Sequence, residues 1–143
     1  MFRVSRQIDF CYGHRLLQYD GKCKYLHGHN GRAVISIESE TLDSRGMVLD
    51  FSDIKRVVSH WIDENLDHRM ILNRHDPAVE ALRKLGEPLF LIDDNPTAEN
   101  IAKLIYEFAT GNGFPVVQVD LWETRRCYAS YFRGAPPASD ACE

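Results

Sequence analysis

From Phe2 to Tyr12 the even positions carry Phe2, Val4, Arg6, Ile8, Phe10 and Tyr12, while the odd ones carry Arg3, Ser5, Gln7, Asp9 and Cys11. This alternation predicts a half-buried strand. His14 has the parity of Ile8 and Phe10, so its ring is carried to the apolar side unless a bulge at Gly13 resets the register. After a loop through Asp20-Gly21, alternation resumes at Gly31, with Ala33, Ile35 and Ile37 facing one way and Arg32, Ser36 and Glu38 the other. His27 and His29 share the parity of that apolar set.

Helical spacing takes over beyond Asp50. Ile54, Val57, Val58, Trp61, Ile62 and Leu66 form one stripe behind a cap at Ser52 or Asp53. Asp67 and His68 follow at its end. The stretch Asp76-Pro77 to Gly86 reads as a short capped helix and Pro88 to Ile92 as a brief extended piece. A second long helix starts at Pro96-Thr97, buries Ile101, Leu104, Ile105 and Phe108, and stops at Gly111 and Gly113. Val116 to Glu123 and Cys127 to Phe132 read as two further strands, the first with Val117, Val119, Leu121 and Glu123 on one face. Strands and helices that do not alternate give an α+β domain, here a four-stranded antiparallel sheet with two long helices on one face. Such a sheet has two open edges, which invite pairing with another chain.

The 143 residues, 44% apolar and 27% charged, suit one domain. We expect it over residues 1–133, with 134–143 as a flexible tail. A net charge of −4 and no basic run argue against nucleic-acid or anionic-membrane partners. No apolar stretch approaches the roughly 20 residues that span a bilayer, and the N-terminal segment has no apolar signal core, so a cytoplasmic protein is expected. Four cysteines at irregular spacing then read as thiols, ligands or catalysts rather than a disulfide framework.

Within Cys23-Lys24-Tyr25-Leu26-His27-Gly28-His29, two histidines one residue apart point the same way on an extended backbone. With His14 on a neighbouring strand they make three imidazoles and no obvious fourth protein ligand, the pattern of a catalytic zinc site with an open position. Imidazoles also suit iron and nickel. Cys23, flanked by Lys22 and Lys24, reads as a fourth ligand of a closed structural site, as a catalytic thiol, or as an inert buried cysteine. Asp67-His68 is a surface pair unless folding or assembly brings it to Cys23, where it would complete a thiol–imidazole–carboxylate relay. Glu123, on an apolar strand face, needs a partner. That partner is Arg125 or a ligand with two adjacent N–H donors.

His14, Cys23-x-x-x-His27-x-His29, Met47 to Phe51, Leu66-Asp67-His68, Pro96 to Asn100 and Val119-x-x-x-Glu123-Thr124 occur in the order of one family. Together they resemble the 6-pyruvoyltetrahydropterin and 6-carboxytetrahydropterin synthases, over about residues 2 to 132. The resemblance implies the tunnelling fold, in which sheets of three subunits close into a barrel and two trimers stack as a hexamer. It implies zinc on His14, His27 and His29, Cys23 as the base, Asp67 and His68 completing the relay from a neighbouring subunit, and Glu123 anchoring the pterin. The implied substrate is 7,8-dihydroneopterin triphosphate. The bacterial branch releases acetaldehyde and triphosphate and leaves 6-carboxy-5,6,7,8-tetrahydropterin, a precursor of queuosine; the other branch keeps the side chain as 6-pyruvoyl. Compactness and the Cys-x-x-x-His-x-His spacing favour the carboxy branch. The rival from another class is a non-catalytic zinc-stabilised binding protein. Phe10-Cys11-Tyr12-Gly13 departs from the small residues that many relatives place before the first histidine, and so bears on the choice of product.

Overall fold

A computed structural model describes residues 1–134. The tail expected over 134–143 lies, from residue 135 on, outside the described residues. In chain order the elements are β1 (Phe2–His14), β2 (His27–Ser39), a helix α1 over 51–65, β3 (Arg69–Asn73), α2 (Ala78–Lys84), β4 (Leu89–Ile92), α3 (Ala98–Gly111), β5 (Val116–Trp122) and β6 (Tyr128–Phe132). The sheet order is β4-β3-β1-β2-β5-β6.

The sheet therefore has six strands rather than four. β1 and β2 pair antiparallel from Phe2↔Ser39 to His14↔His27 with no shift of register, so Gly13 makes no bulge. β5 and β6 extend this sheet antiparallel on the β2 side. On the other side β3 runs parallel to β1, pairing only through Tyr12↔Arg69, Gly13↔Met70 and His14↔Ile71, and β4 runs parallel to β3. β3 eludes sequence reading because Arg-Met-Ile-Leu-Asn is short, lacks a clean alternation and follows a helix almost directly. Its three pairs clasp the His14 end of β1. A Cβ on Gly13 would stand 2.6 Å from Met70 Sδ and 3.3 Å from the His27 carbonyl, so a side chain there would displace the end of Met70.

Helix α1 opens on Asp50, whose carboxylate accepts from Ser52 N at 2.8 Å, so the cap lies ahead of the expected Ser52 or Asp53. Ile54, Val58, Ile62 and Leu66 are all fully buried at a spacing of four. Such a stripe drifts by about 40° per step around a regular α-helix. The wider π-turn at Lys55–Ser59 takes up part of that drift and keeps the stripe on the sheet. α3 opens on Thr97, whose hydroxyl accepts from Asn100 N, and buries Ile101, Ala102, Ile105 and Ala109. These residues pack on Ile8, Phe10, Ile35, Ile37, Val119 and Leu121 from the strands. Each fully buried aliphatic side chain contributes about 1.5–3 kcal/mol, and Trp61 stacked on Phe108 at 4.3 Å ties the two long helices together. Their shared face thus fixes which side chains at the strand ends point inward.

Candidate metal centre

At the far end of the β1–β2 hairpin the inward parity that carries Ile8, Phe10 and Tyr12 also carries three histidines. His14 faces His27 across the pair, and His29 lies opposite Tyr12. One ring nitrogen from each of His14, His27 and His29 lies within 4.8 Å of the other two. All three Nε2 atoms are buried without a hydrogen-bond partner. Two of the opposite nitrogens are spoken for: His14 Nδ1 donates to the Pro96 carbonyl at 2.6 Å and His27 Nδ1 to the Tyr25 carbonyl at 2.7 Å. Those bonds fix the tautomers of His14 and His27 and leave their Nε2 lone pairs free to bind a ligand. An unmet buried polar group costs about 1–3 kcal/mol, so three side by side describe a site built for a ligand. Burial also pushes the His14 and His29 pKa values below the usual range, favouring the neutral form that a cation requires. The donor set fits a divalent metal such as zinc.

The surroundings come from four loops. Cys23 sits in a 3-10 turn, Lys22–Lys24, pinned by the Leu16 N–H to the Cys23 carbonyl at 2.9 Å. With His14, Thr97, Glu99 and Glu123 it lines a cavity of about 450 Å³. Its thiol is not part of the histidine cluster. Glu123 brings an oxygen to 3.8 Å from His14 Nε2 and forms no ion pair with Arg125 or any other Lys or Arg among the described residues.

Asp67 and His68 occupy the corner where α1 ends. Leu66 N and Asp67 N both donate to the Ile62 carbonyl, and His68 turns the chain with φ 57°. Histidine is among the residues that tolerate this left-handed conformation. The corner is clasped to β1: Asp67 Oδ1 accepts from Cys11 N at 2.8 Å, and His68 N donates to the Cys11 carbonyl at 2.6 Å. His68 Nδ1 donates to Asp67 Oδ2 at 2.7 Å while the imidazole is 80% exposed. Together with His29, Glu123 and Arg125 the pair lines a second, larger cavity of about 1020 Å³. Within one chain Cys23 thus shares a cavity with His14 and Glu123, while Asp67 and His68 share another with His29 and Glu123.

The chain from residue 3 to 134 matches the family model for 6-pyruvoyl tetrahydropterin synthase. The chain belongs to this family. The relatives of the 6-pyruvoyl tetrahydropterin synthase family that it resembles include the 6-carboxy-5,6,7,8-tetrahydropterin synthase of Rickettsia felis, 37% identical over 90% of this chain and 98% of the relative. The enzyme of that name from Haemophilus influenzae is 32% identical over 92% and 99%. Among solved structures, an uncharacterized protein of Wolinella succinogenes superposes with a TM-score of 0.79 at 26% identity, covering 93% of this chain and 98% of the other. The 6-pyruvoyl tetrahydropterin synthase of Caenorhabditis elegans shares the fold with a TM-score of 0.70 at 24% identity, over 93% and 96%. The fold is thus the tunnelling fold of the tetrahydropterin synthases, and among the described residues no helix is long and apolar enough to cross a membrane.

Sequence reading missed the groups that hold these histidines in place. The Pro96 and Tyr25 carbonyls are backbone atoms and leave no residue-type signal. Asn95 does leave one, as a polar residue ahead of Pro and a helix: its amide accepts from Leu17 N and donates to the Leu17 carbonyl, both at 2.9 Å, fastening the loop after His14. Arg15 meets the buried Asp76 across 61 positions. That pairing removes Arg15 from the free cations near the site.

Proposed function

We propose that the chain is a zinc-dependent 6-carboxy-5,6,7,8-tetrahydropterin synthase. It would convert 7,8-dihydroneopterin triphosphate and water to 6-carboxy-5,6,7,8-tetrahydropterin, acetaldehyde and triphosphate, a route toward queuosine and other deazapurines. The observation that carries this reading is the cluster of three unpartnered imidazole nitrogens with an unpaired carboxylate 3.8 Å away and a thiol in the adjoining cavity. The names of the relatives support the carboxy branch.

The ring gains two hydrogens and the side chain is oxidised, so proton movements within the substrate suffice and no external reductant is needed. Zinc on His14, His27 and His29 supplies a Lewis acid for the side-chain hydroxyls. Glu123 accepts from the two adjacent N–H donors of the pterin, which orients the three-carbon side chain toward Cys23. Cys23, between Lys22 and Lys24, acts as the base that takes a proton from that side chain. Asp67 holds His68 by its Nδ1 and leaves Nε2 free to exchange a proton. Because His68 is exposed and lies in a cavity that Cys23 does not line, it serves the thiol of a neighbouring chain. That sharing supports a homo-oligomer, which the likeness to the tunnelling-fold family makes a hexamer of two trimers, and the proposed setting is the cytoplasm.

Incubating the zinc-quantified protein with 7,8-dihydroneopterin triphosphate and following products by mass spectrometry tests the reading. Acetaldehyde with 6-carboxytetrahydropterin is the expected outcome. A 6-pyruvoyl product without acetaldehyde would reassign the chain to the pyruvoyl activity, and no turnover by zinc-loaded protein would overturn the enzymatic reading.

A further inference from the structure

Tyr12 is only 3% exposed, yet its hydroxyl has no hydrogen-bond partner among the described residues. A buried phenol ordinarily finds one. Its ring is fixed: Phe10 stacks on it at 5.3 Å, and His14 and His29 lie at 5.3 and 5.7 Å. A Cβ on Gly31 would stand 2.7 Å from Tyr12 Cε1, so the missing side chain at 31 is what admits the ring at 12. Tyr12 and the Glu123 carboxylate both stand against His14, yet the hydroxyl closes no hydrogen bond to that carboxylate. Glu123 in turn has no Lys or Arg partner and lies beside His14 Nε2. A donor without an acceptor and a carboxylate with lone pairs to spare thus meet on the wall of the metal centre.

We propose that Tyr12 is a positioning residue for Glu123: its O–H donates to the carboxylate when a pterin is bound, fixing the carboxylate plane against the ring's N–H edge. This rests on the reading of Glu123 as the pterin anchor. The count of acceptor sites permits it, since a carboxylate offers about four and the pterin's two donors use two. The phenol would therefore act on pterin affinity and leave the metal alone.

Neopterin, fluorescent and already oxidised, is a suitable probe because it keeps the N–H edge and does not react. Its Kd is measured on zinc-loaded wild type, Tyr12→Phe, Glu123→Gln and the double variant, with zinc content and Tm recorded for each. Tyr12→Phe should weaken neopterin binding about tenfold, the loss of one hydrogen bond to a charged group, with zinc content and Tm unchanged. In the Glu123→Gln background it should add little. Wild-type affinity in Tyr12→Phe beside weak binding by Glu123→Gln would overturn the role of Tyr12 alone. Losses that multiply in the double variant would do the same, as would a Tyr12→Phe protein that loses zinc or Tm without losing affinity. Wild-type affinity in Glu123→Gln would instead remove the anchor itself, and the proposal with it.

Discussion

The histidine end of the hairpin and the two elements that flank it are built to different standards. His14, His27 and His29 stand on strands paired over their full 13 residues, and His14 is 2% exposed with its Nδ1 bonded to a helix-capping loop. Cys23 sits on a three-residue turn, and His68 projects from a corner into solvent. Metal ligands must converge within fractions of an ångström, which paired strands supply. Proton carriers gain from being reachable. On the function proposed above, the difference teaches that one chain's paired strands gather the three histidines that would hold a metal, while the proposed relay would be completed by a partner.

The largest effect should come from breaking the rigid half. His27→Ala should abolish stoichiometric zinc, read by atomic emission, and lower turnover by roughly 10³-fold or more, since the ligand itself and not its support is lost. Cys23→Ala sharpens the contrast: zinc stays at one per chain and the fold is kept, but kcat falls by roughly 10²–10⁴-fold. If Cys23 were a ligand, zinc affinity and Tm would fall together. Asp67→Asn should lower kcat by roughly 10²-fold with zinc intact, because His68 loses the carboxylate that holds its Nδ1 proton.

A purely structural pair gives the smallest functional effect. Burial alone would raise the Asp76 pKa, yet the Arg15 guanidinium and the Ala78 N–H hold it below the usual carboxylate range. Asp76→Ala should cost roughly 3 kcal/mol in urea unfolding by leaving Arg15 without its buried partner. The depressed folded pKa means this stability is present above the unfolded value of about 3.9 and is lost as the pH falls through the lower folded value. The gap between wild type and variant should therefore close below pH 4.

Much of the rigid half was legible because it obeys local rules. Period-two alternation carried His14, His27 and His29 inward with the core, and nothing at Gly13 interrupts it. The long helices followed from Ile, Val and Leu at helical spacing. β3 was not legible, for its five residues, Arg-Met-Ile-Leu-Asn, are few and carry no clean alternation. The Tyr12 hydroxyl hid among core residues, where a phenol and a phenylalanine read alike. Nor could spacing join Arg15 to Asp76 or Asp67 to Cys11, contacts made only when α1 and the loop after β3 close over the end of β1.

The division of the relay between chains is tested most directly by mixing two inactive proteins. Cys23→Ala and His68→Ala chains are unfolded, combined in equal amounts, refolded with zinc, and assayed for turnover of 7,8-dihydroneopterin triphosphate. In a symmetric oligomer with relays shared across an interface, about a quarter of the sites regain an intact pair, and turnover should recover to about that fraction of wild type. If Cys23 and His68 act within one chain, no mixed oligomer contains an intact pair and the mixture stays as inactive as its parts.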